Sequence, residues 1–568
     1  MRKSKILNNY SILNFHERHQ LLVEWNNTKK DYPENKVLHQ LFEEQAEKTP
    51  NQIAIVYKNE ELTYAQLNQK ANQLARYLRE IGIGPDMLVA IAVEKSFEMI
   101  IGVLGILKAG GAYVPLDPDY PIERLQFLLK DAKISVLLIQ SHLQNKLKKD
   151  LSVYTGQIII IDKFQEILLR KNSNNLTQIV HPYHLAYVIY SSGSTGLPKG
   201  VLIEHEKIVQ RLFFLKDLYQ LKYDDSFIHY SSISIDASLE EYLLPLISGA
   251  KCYFFSYTKD HDPRSLLEFI YANKITTFNS TPSFLQNLEK FYSGVVNNNH
   301  IIKRILTGGE SLSQSLAKRL VSKAETIWNL YGPTETTIDA TAFSFSTMTE
   351  AENVCIGRPV ANMKIYILDT YLNPVPIGEI GEIYIGGTGL ARGYLNRPDL
   401  TAQRFIPNPF IESNDLNQRK CLRLHKTEDL GRYLPDGNIE FLGRIEDLVM
   451  INDSRVELQD IELALTQHND INYAIVIPKE DKVVGKYLIA FLIPHDNVIT
   501  PLSKSFIIQE EDNFPTLVEE LNNHLSRSFP NYMIPSRFIF IDKIPLTPNG
   551  KVNKKALLYL YHTLQHPE

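Results

Sequence analysis

Apolar residues recur along this chain in two alternating patterns, one at helical spacing and one in short continuous runs. Leu38, Leu41, Phe42 and Ala46 fall on one helical face and stop before Pro50, which predicts a helix. Residues 53–57 read as a strand. Thr63 can cap a helix whose buried face is Leu67, Ala71, Leu74 and Leu78, with Gly82 as its stop. Residues 88–93 form a strand, 97–107 a helix closed by Gly110 and Gly111, and 113–115 a strand again. The alternation runs past residue 300 and predicts α/β layers with parallel strands. The first thirty-odd residues are polar and basic around one short amphipathic stretch, Leu21, Leu22 and Trp25.

Near residue 445 the pattern changes. Helices over 458–468 and 517–525 and strands over 471–477, 488–493 and 537–541 read as a compact α+β unit of about 120 residues, an ordinary domain size. The expected division is a linker-like segment 1–35, a large α/β multi-layer domain 36–445 with parallel sheets, and a small mobile α+β domain 446–568.

Composition narrows the class. The 568 residues are 44% hydrophobic and 22% charged, with a formal net charge of −5. That is ordinary for a globular chain and offers no global field for nucleic acid or an anionic membrane. The three cysteines, Cys252, Cys355 and Cys421, form no CxxC pair, which argues against a disulfide framework and fits a reducing compartment. No apolar stretch of signal-peptide length follows Arg2, Lys3 and Lys5, and the run 99–107 is too short to span a bilayer. The expectation is a cytoplasmic protein without membrane or nucleic-acid partners.

The strongest local signal is YSSGSTGLPKG, Tyr190 to Gly200, after an apolar strand. Glycines let backbone N–H groups approach phosphate oxygens, hydroxyls donate and lysine supplies charge. It is not a Walker A loop, since Pro198 takes the glycine position before Lys199. The cluster Gly386-Gly387-Thr388-Gly389 has Arg392 where a dinucleotide fingerprint needs its last glycine, and no GxSxG elbow occurs. On composition alone, a flexible Ser/Gly loop is the competing reading.

The segment resembles the phosphate loop of adenylate-forming enzymes, the superfamily of nonribosomal peptide synthetase adenylation domains, acyl-CoA synthetases and luciferase. Further motifs follow in the family's order: LKAGGAYVPLD from Leu107, NLYGPTET from Asn329, GEIYIGGTGLARGYL from Gly381, FPNYMIP from Phe529 and TPNGKV from Thr547. The resemblance covers about residues 35 to 560, and LKAGGAYVPLD favours the peptide-synthetase branch. It implies ATP and Mg²⁺, formation of an acyl-adenylate with release of pyrophosphate, and transfer of the acyl group to a phosphopantetheine thiol. Joining two anions makes catalysis mostly positioning and cationic stabilisation.

The resemblance also implies roles. Ser191, Ser192, Gly193, Ser194, Thr195, Gly196 and Lys199 would wrap the β- and γ-phosphates. Tyr331 would flank adenine beside Asn329 and the backbone of Gly308, Gly309, Glu310 and Ser311. Thr334 would contact the α-phosphate, Glu335 would hold Mg²⁺, Asp429 would accept the ribose hydroxyls and Arg444 would steady the ribose. Lys551, on a turn after Asn549-Gly550, would bridge the substrate carboxylate and the α-phosphate. A catalytic lysine on the small domain implies a hinge, assigned to Glu446.

In the IDAS segment, Asp236 matches the aspartate that binds an α-amino group. The other implied pocket positions are Ala237, Glu240, Asn279, Leu306, Gly308, Leu330, Ile338 and Asp339, with Lys551. Two carboxylates in one small pocket repel unless a cation lies between them, so Glu240 and Asp339 favour ornithine, lysine or a derivative such as hydroxyornithine. The alternative is that one carboxylate turns away or pairs with a neighbouring base.

Some motifs depart from the family. Thr427-Glu428-Asp429 stands where TGD is usual, and VMINDSRVE (449–457) where the family has roughly VKIRGxRIE. With these changes adenylation is still expected, and thiol transfer is put in question. They keep open a weakened member that binds nucleotide or carrier without turnover; an acyl-CoA synthetase is a separate alternative. Only 17 residues follow Lys551, and HERHQLLVEWNNT resembles the linker after a condensation domain. The expected partner is therefore a peptidyl carrier protein met in trans, with an MbtH-like helper as a further candidate.

Overall fold

Strands buried on both faces and helices with one apolar stripe assemble into stacked layers. The computed structural model describes residues 13–144, 154–163, 165–191, 198–256, 263–289, 291–292, 302–345, 354–411, 422–445, 448–451, 454–481, 485–495, 508–510, 515–527, 529, 533–547 and 551–565. Ser192 to Gly196, Glu446, Asn452, Asp453, Asn549 and Gly550 lie outside them.

The local signals work as expected. Thr63 caps helix Tyr64–Glu80 by accepting from the Gln66 amide, while the Gln66 side chain accepts from the Thr63 N–H at 2.9 Å. Gly110, at φ 108°, ends helix Phe97–Ala109. That helix is buried from Met99 onward because it lies between layers.

A nine-stranded sheet runs in the order Arg358–Pro359, Thr341–Phe345, Ala324–Tyr331, Ile302–Gly308, Thr277–Ser280, Ser226–His229, Lys251–Phe254, Ile53–Tyr57, Glu60–Thr63. Its six central strands, Ala324–Tyr331 through Ile53–Tyr57, are parallel, and its edges antiparallel. A seven-stranded sheet has a parallel centre built on Leu185–Ser191, Ala112–Pro115, Leu88–Ala92, Val136–Ile139 and Gln157–Ile160. Helices Leu38–Lys48, Tyr64–Glu80, Phe97–Ala109, His205–Leu218 and Ser238–Ser248 contribute to the large core shared by both sheets.

Two features go beyond the expected parallel layers. Lys199–Glu204 returns antiparallel to Leu185–Ser191, and a five-stranded antiparallel sheet contains Met363–Leu368, Gly381–Gly387 and Arg423–Tyr433. Apolar runs carry no strand direction, so periodicity could not separate these from parallel strands. The four-stranded sheet of Ile471–Asp481, Gly485–Pro494, Arg537–Ile541 and Ile508–Glu510 has its own cores. Its first hairpin extends beyond the apolar residues because backbone pairing continues through Lys479↔Tyr487. Among the described residues no helix is long and apolar enough to cross a membrane.

Residues 13–30 pack onto the five-stranded sheet. Trp25 lies against Tyr433 with ring centroids 4.8 Å apart. The buried Asn26 amide donates to the carbonyls of Leu21 (3.0 Å) and Ile365 (2.9 Å) and accepts from the Ile365 N–H (2.7 Å). Asn26→Ala strands buried backbone groups and should destabilise the fold by about 1–3 kcal/mol. Urea titration followed by fluorescence of the two tryptophans reads this; an unchanged midpoint would show the segment to be passively attached.

Candidate active site

The site lies where the parallel strands of the nine-stranded sheet end at their C-terminal edge, the place where open α/β sheets collect ligands. Gly308 and Tyr331 close two adjacent strands there, and Asn279 pairs in register with Leu306. Gly308 must be glycine, because a Cβ would come 2.5 Å from the Leu330 carbonyl oxygen.

At one end Ser191 and Lys199 face each other across the hairpin that flanks the glycine-rich loop. The Lys199 ammonium is 2.7 Å from Glu335 Oε1 and lies 4.7 Å from the Tyr394 ring centroid. Tyr394 donates to the same carboxylate oxygen at 2.7 Å. Burial pushes the Glu335 carboxyl up, but nearby positive charge and the hydrogen bonds from Lys199 and Tyr394 outweigh it and bring it down to about 2. The neighbouring His425 is itself lowered by burial to about 4, so at neutral pH the resident charge beside Glu335 is Lys199.

At a second corner the Tyr331 hydroxyl donates to Asp429 Oδ2 at 2.6 Å, and Arg444 Nε lies 3.2 Å from Asp429 Oδ1. Asp429 and Arg444 are cross-strand partners. Burial raises Asp429 to about 6 despite these contacts.

A third group brings Lys551 to the large unit. Its Cε would be 3.3 Å from a Cβ on Gly309, which sits at φ 79°, so glycine both adopts the turn and admits the lysine. The following residue fixes this placement: the Val552 N–H donates to Glu310 Oε1 at 2.8 Å, while Glu310 Oε2 accepts from the Ser283 amide at 3.1 Å and from its hydroxyl. Lys551 and the Thr334 side chain both favour the ionised form of Asp236, whose Oδ1 accepts from the Ala237 N–H at 2.9 Å. Burial raises Asp236 to about 6, and its Oδ2 is buried without a partner.

The remaining pocket positions converge beside Asp236. Glu240, on helix Ser238–Ser248, and Asp339 are both buried, and Asn279 Nδ2 lies 3.5 Å from Glu240 Oε2. Ile338 and Asp339 arrive on a turn with Thr337 at φ 62° and Ile338 at φ 70°. Such backbone strain gathers at ligand sites when neighbours hold it. The Thr337 hydroxyl donates to the Gly389 carbonyl at 2.7 Å, and Arg211 Nε donates to the Thr337 carbonyl at 3.0 Å.

Residues 42–395 match the AMP-binding enzyme family and residues 460–551 the AMP-binding enzyme C-terminal domain. The chain belongs to the AMP-binding enzymes. It is 41% identical over 544 residues to gramicidin S synthase 1 of Brevibacillus brevis, covering 95% of this chain and 46% of that one. It is 39% identical over 544 residues to bacitracin synthase 3 of Bacillus licheniformis, covering 95% and 8%. The chain thus spans less than half the length of these curated relatives. The crystal structure of holo-AB3403, a four-domain nonribosomal peptide synthetase bound to AMP and glycine, superposes with TM-score 0.78 at 29% identity, over 94% of this chain and 37% of that one.

In this AMP-binding enzyme most expected site residues come together, and three details differ from the sequence reading. Asn329, expected beside the nucleotide, is buried with its amide donating to the Cys355 carbonyl at 2.8 Å, so its side chain braces the strand end. Glu310, expected to contribute only backbone, uses its carboxylate to hold the Lys551 segment. Arg211 was not anticipated; a single arginine inside the apolar run Ile208 to Phe214 was its only sequence signal. Glu428, in the family's glycine position, does adopt φ 63°, and its carboxylate is 2.6 Å from Arg404.

The Glu335 carboxyl lies below its ordinary value of 4.5, so its ion pair stabilises the fold fully above that pH and loses its contribution as pH falls toward about 2. The stability advantage over Glu335→Gln should therefore shrink between pH 5 and pH 3, out of a total of about 3 kcal/mol. Urea titrations of both proteins across this range check it; a constant difference would mean that His425, Lys199 and Tyr394 together do not hold Glu335 ionised.

Proposed function

We propose that this chain activates an amino acid with ATP to an aminoacyl-adenylate and then delivers it to the phosphopantetheine thiol of a peptidyl carrier. The observation that carries the reading is Lys551 against Gly309, acting on an Asp236 whose Oδ2 has no partner. Its nearest supports are membership of the AMP-binding enzymes and likeness to peptide synthetases.

The amino acid's ammonium donates to Asp236, which the new charge keeps ionised. Its carboxylate then lies beside Lys551. One carboxylate oxygen attacks the α-phosphorus, the oxygen–phosphorus bond forms, and the bond to the β-phosphate breaks with departure of pyrophosphate. Lys551 offsets the charge gathering on the α-phosphate oxygens, with Thr334 at the same corner. Lys199 exchanges Glu335 for the leaving pyrophosphate, together with Ser191 and the glycine-rich loop. Asp429 accepts from the ribose hydroxyls, Arg444 steadies it, and Tyr331 flanks adenine. Glu335 is a dry, ionised oxygen donor of the kind Mg²⁺ takes, and a bound Mg²⁺ would neutralise phosphate charge there.

The substrate side chain is basic: ornithine, lysine or a derivative. Ala237, Leu306, Gly308, Leu330 and Ile338 shape an apolar channel toward Glu240, Asn279 and Asp339. After adenylation the small domain, 446–568, turns about Glu446 against the 36–445 core, withdrawing Lys551 for the thiol.

Two measurements test this. Lys551→Ala should lower amino-acid-dependent pyrophosphate exchange by about 10²–10³-fold while largely sparing thiol transfer from supplied aminoacyl-adenylate; equal loss of both removes Lys551 from the first step. An amino acid panel in the same exchange should favour ornithine or lysine. Preference for leucine or phenylalanine refutes the basic substrate, and exchange with none refutes activation.

A further inference from the structure

The inner end of the amino acid pocket has a charge imbalance that its own residues do not resolve. Glu240 is 0% exposed, Asp339 4% and Arg211 3%. Glu240 Oε1, Asp339 Oδ2 and Arg211 Nη1 are all buried without a hydrogen-bond partner. Arg211 cannot swing to satisfy the acids, because its Nε is bound to the Thr337 carbonyl. Asn279 reaches only the other Glu240 oxygen. The remaining groups that bear on the pair are Asp236, a third acid, and Tyr219, whose hydroxyl is also buried and unpartnered.

The buried carboxyls of Glu240 and Asp339 are close enough to act directly on each other. Two carboxylates are acceptors only, so a hydrogen bond between them requires that one carry a proton. Burial pushes both groups upward, the charge of Asp339 raises Glu240 further, and the fixed guanidinium opposes the rise in both.

We propose that Glu240 and Asp339 share one proton in the substrate-free pocket, balanced against Arg211, and that a cationic substrate side chain enters in exchange for that proton. The proton leaves to solvent, and the ammonium donates to Glu240 Oε1 and Asp339 Oδ2. The inner pocket is then neutral in both states: one guanidinium, one carboxylate and one carboxylic acid before binding, two cations and two carboxylates after. A neutral side chain leaves the proton in place. Arg211 is thereby a specificity-determining residue: without its charge a cation could enter beside the protonated pair with no proton leaving, and selection would lose its dependence on pH. The inference rests on the basic-substrate reading and adds a mechanism of selection to it, in which discrimination between a basic side chain and its neutral isostere depends on pH.

Calorimetric titration of the full chain with ornithine and with norleucine, its neutral isostere, tests this when run in buffers of different ionisation enthalpy. Norleucine shares the α-amino and carboxylate contacts, so protons exchanged at Asp236 cancel in the comparison. At pH 7 ornithine should release close to one more proton than norleucine. Its Kd relative to norleucine should fall nearly tenfold per pH unit from pH 6 to pH 8. Glu240→Gln should remove both effects, and a cooperative urea transition certifies that the variant is folded. Ornithine bound with no extra proton released overturns the exchange and leaves the substrate reading standing. Norleucine bound and ornithine refused overturns both.

Discussion

Thr337 and Ile338 occupy the left-handed region at φ 62° and 70°, where a β-branched side chain crowds its own backbone. The turn survives because three separated parts of the chain hold it: Gly389 accepts from the Thr337 hydroxyl, Arg211 donates to the Thr337 carbonyl, and the Ala340 N–H returns to the Tyr331 carbonyl at 2.7 Å. This one constraint orders both halves of the site. Upstream it fixes Thr334 and Glu335, proposed above to serve the nucleotide, and downstream Ile338 and Asp339, proposed to line the amino acid pocket. The Ala391 N–H, bonded to the Glu335 carbonyl at 2.8 Å, ties the same turn to the segment that supplies Tyr394.

Around that turn, buried charge is distributed unevenly. Lys199 answers Glu335, Arg444 answers Asp429, and Lys551 faces Asp236. Each is one acid with one cation, and each has a natural exchange partner in a nucleotide or an amino acid backbone. At Glu240 and Asp339 two acids share a single fixed cation. A buried acid without compensation is costly, so a fold that keeps an unmatched one must recover the cost from a proton or a ligand. The excess acid is the feature on which the proposed selection of a basic side chain rests.

Much of this was legible in the sequence because the relevant signals are local. A capping threonine at 63, a helix-ending glycine at 110 and the spacing of Leu67, Ala71, Leu74 and Leu78 specify their elements within a few residues. The site motifs were legible for a similar reason, since each sits on one strand end or turn. What escaped was non-local. The antiparallel sheet depends on strand direction, the Asn329 amide on where residue 355 returns, and the Glu310 carboxylate on a segment more than two hundred residues away. Arg211 reads as an interruption of an apolar face until the fold brings it to Thr337.

Polar contacts link the segment that carries Lys551 to the large unit. Glu310 receives the Val552 amide, and Gln286 donates to the Asn472 carbonyl at 3.1 Å and its side-chain oxygen at 3.2 Å. The apolar cores of residues 458–561 remain separate from the large core. Polar contacts of this kind exchange for water at little net cost, whereas a shared apolar core would have to be opened. Val552 packs against a core of its own unit and only its amide reaches Glu310, so undocking Lys551 need not disturb the strained turn. The proposed withdrawal of Lys551 after adenylation calls for that independence: the large unit can stay rigid while this cation arrives on a separately folded support.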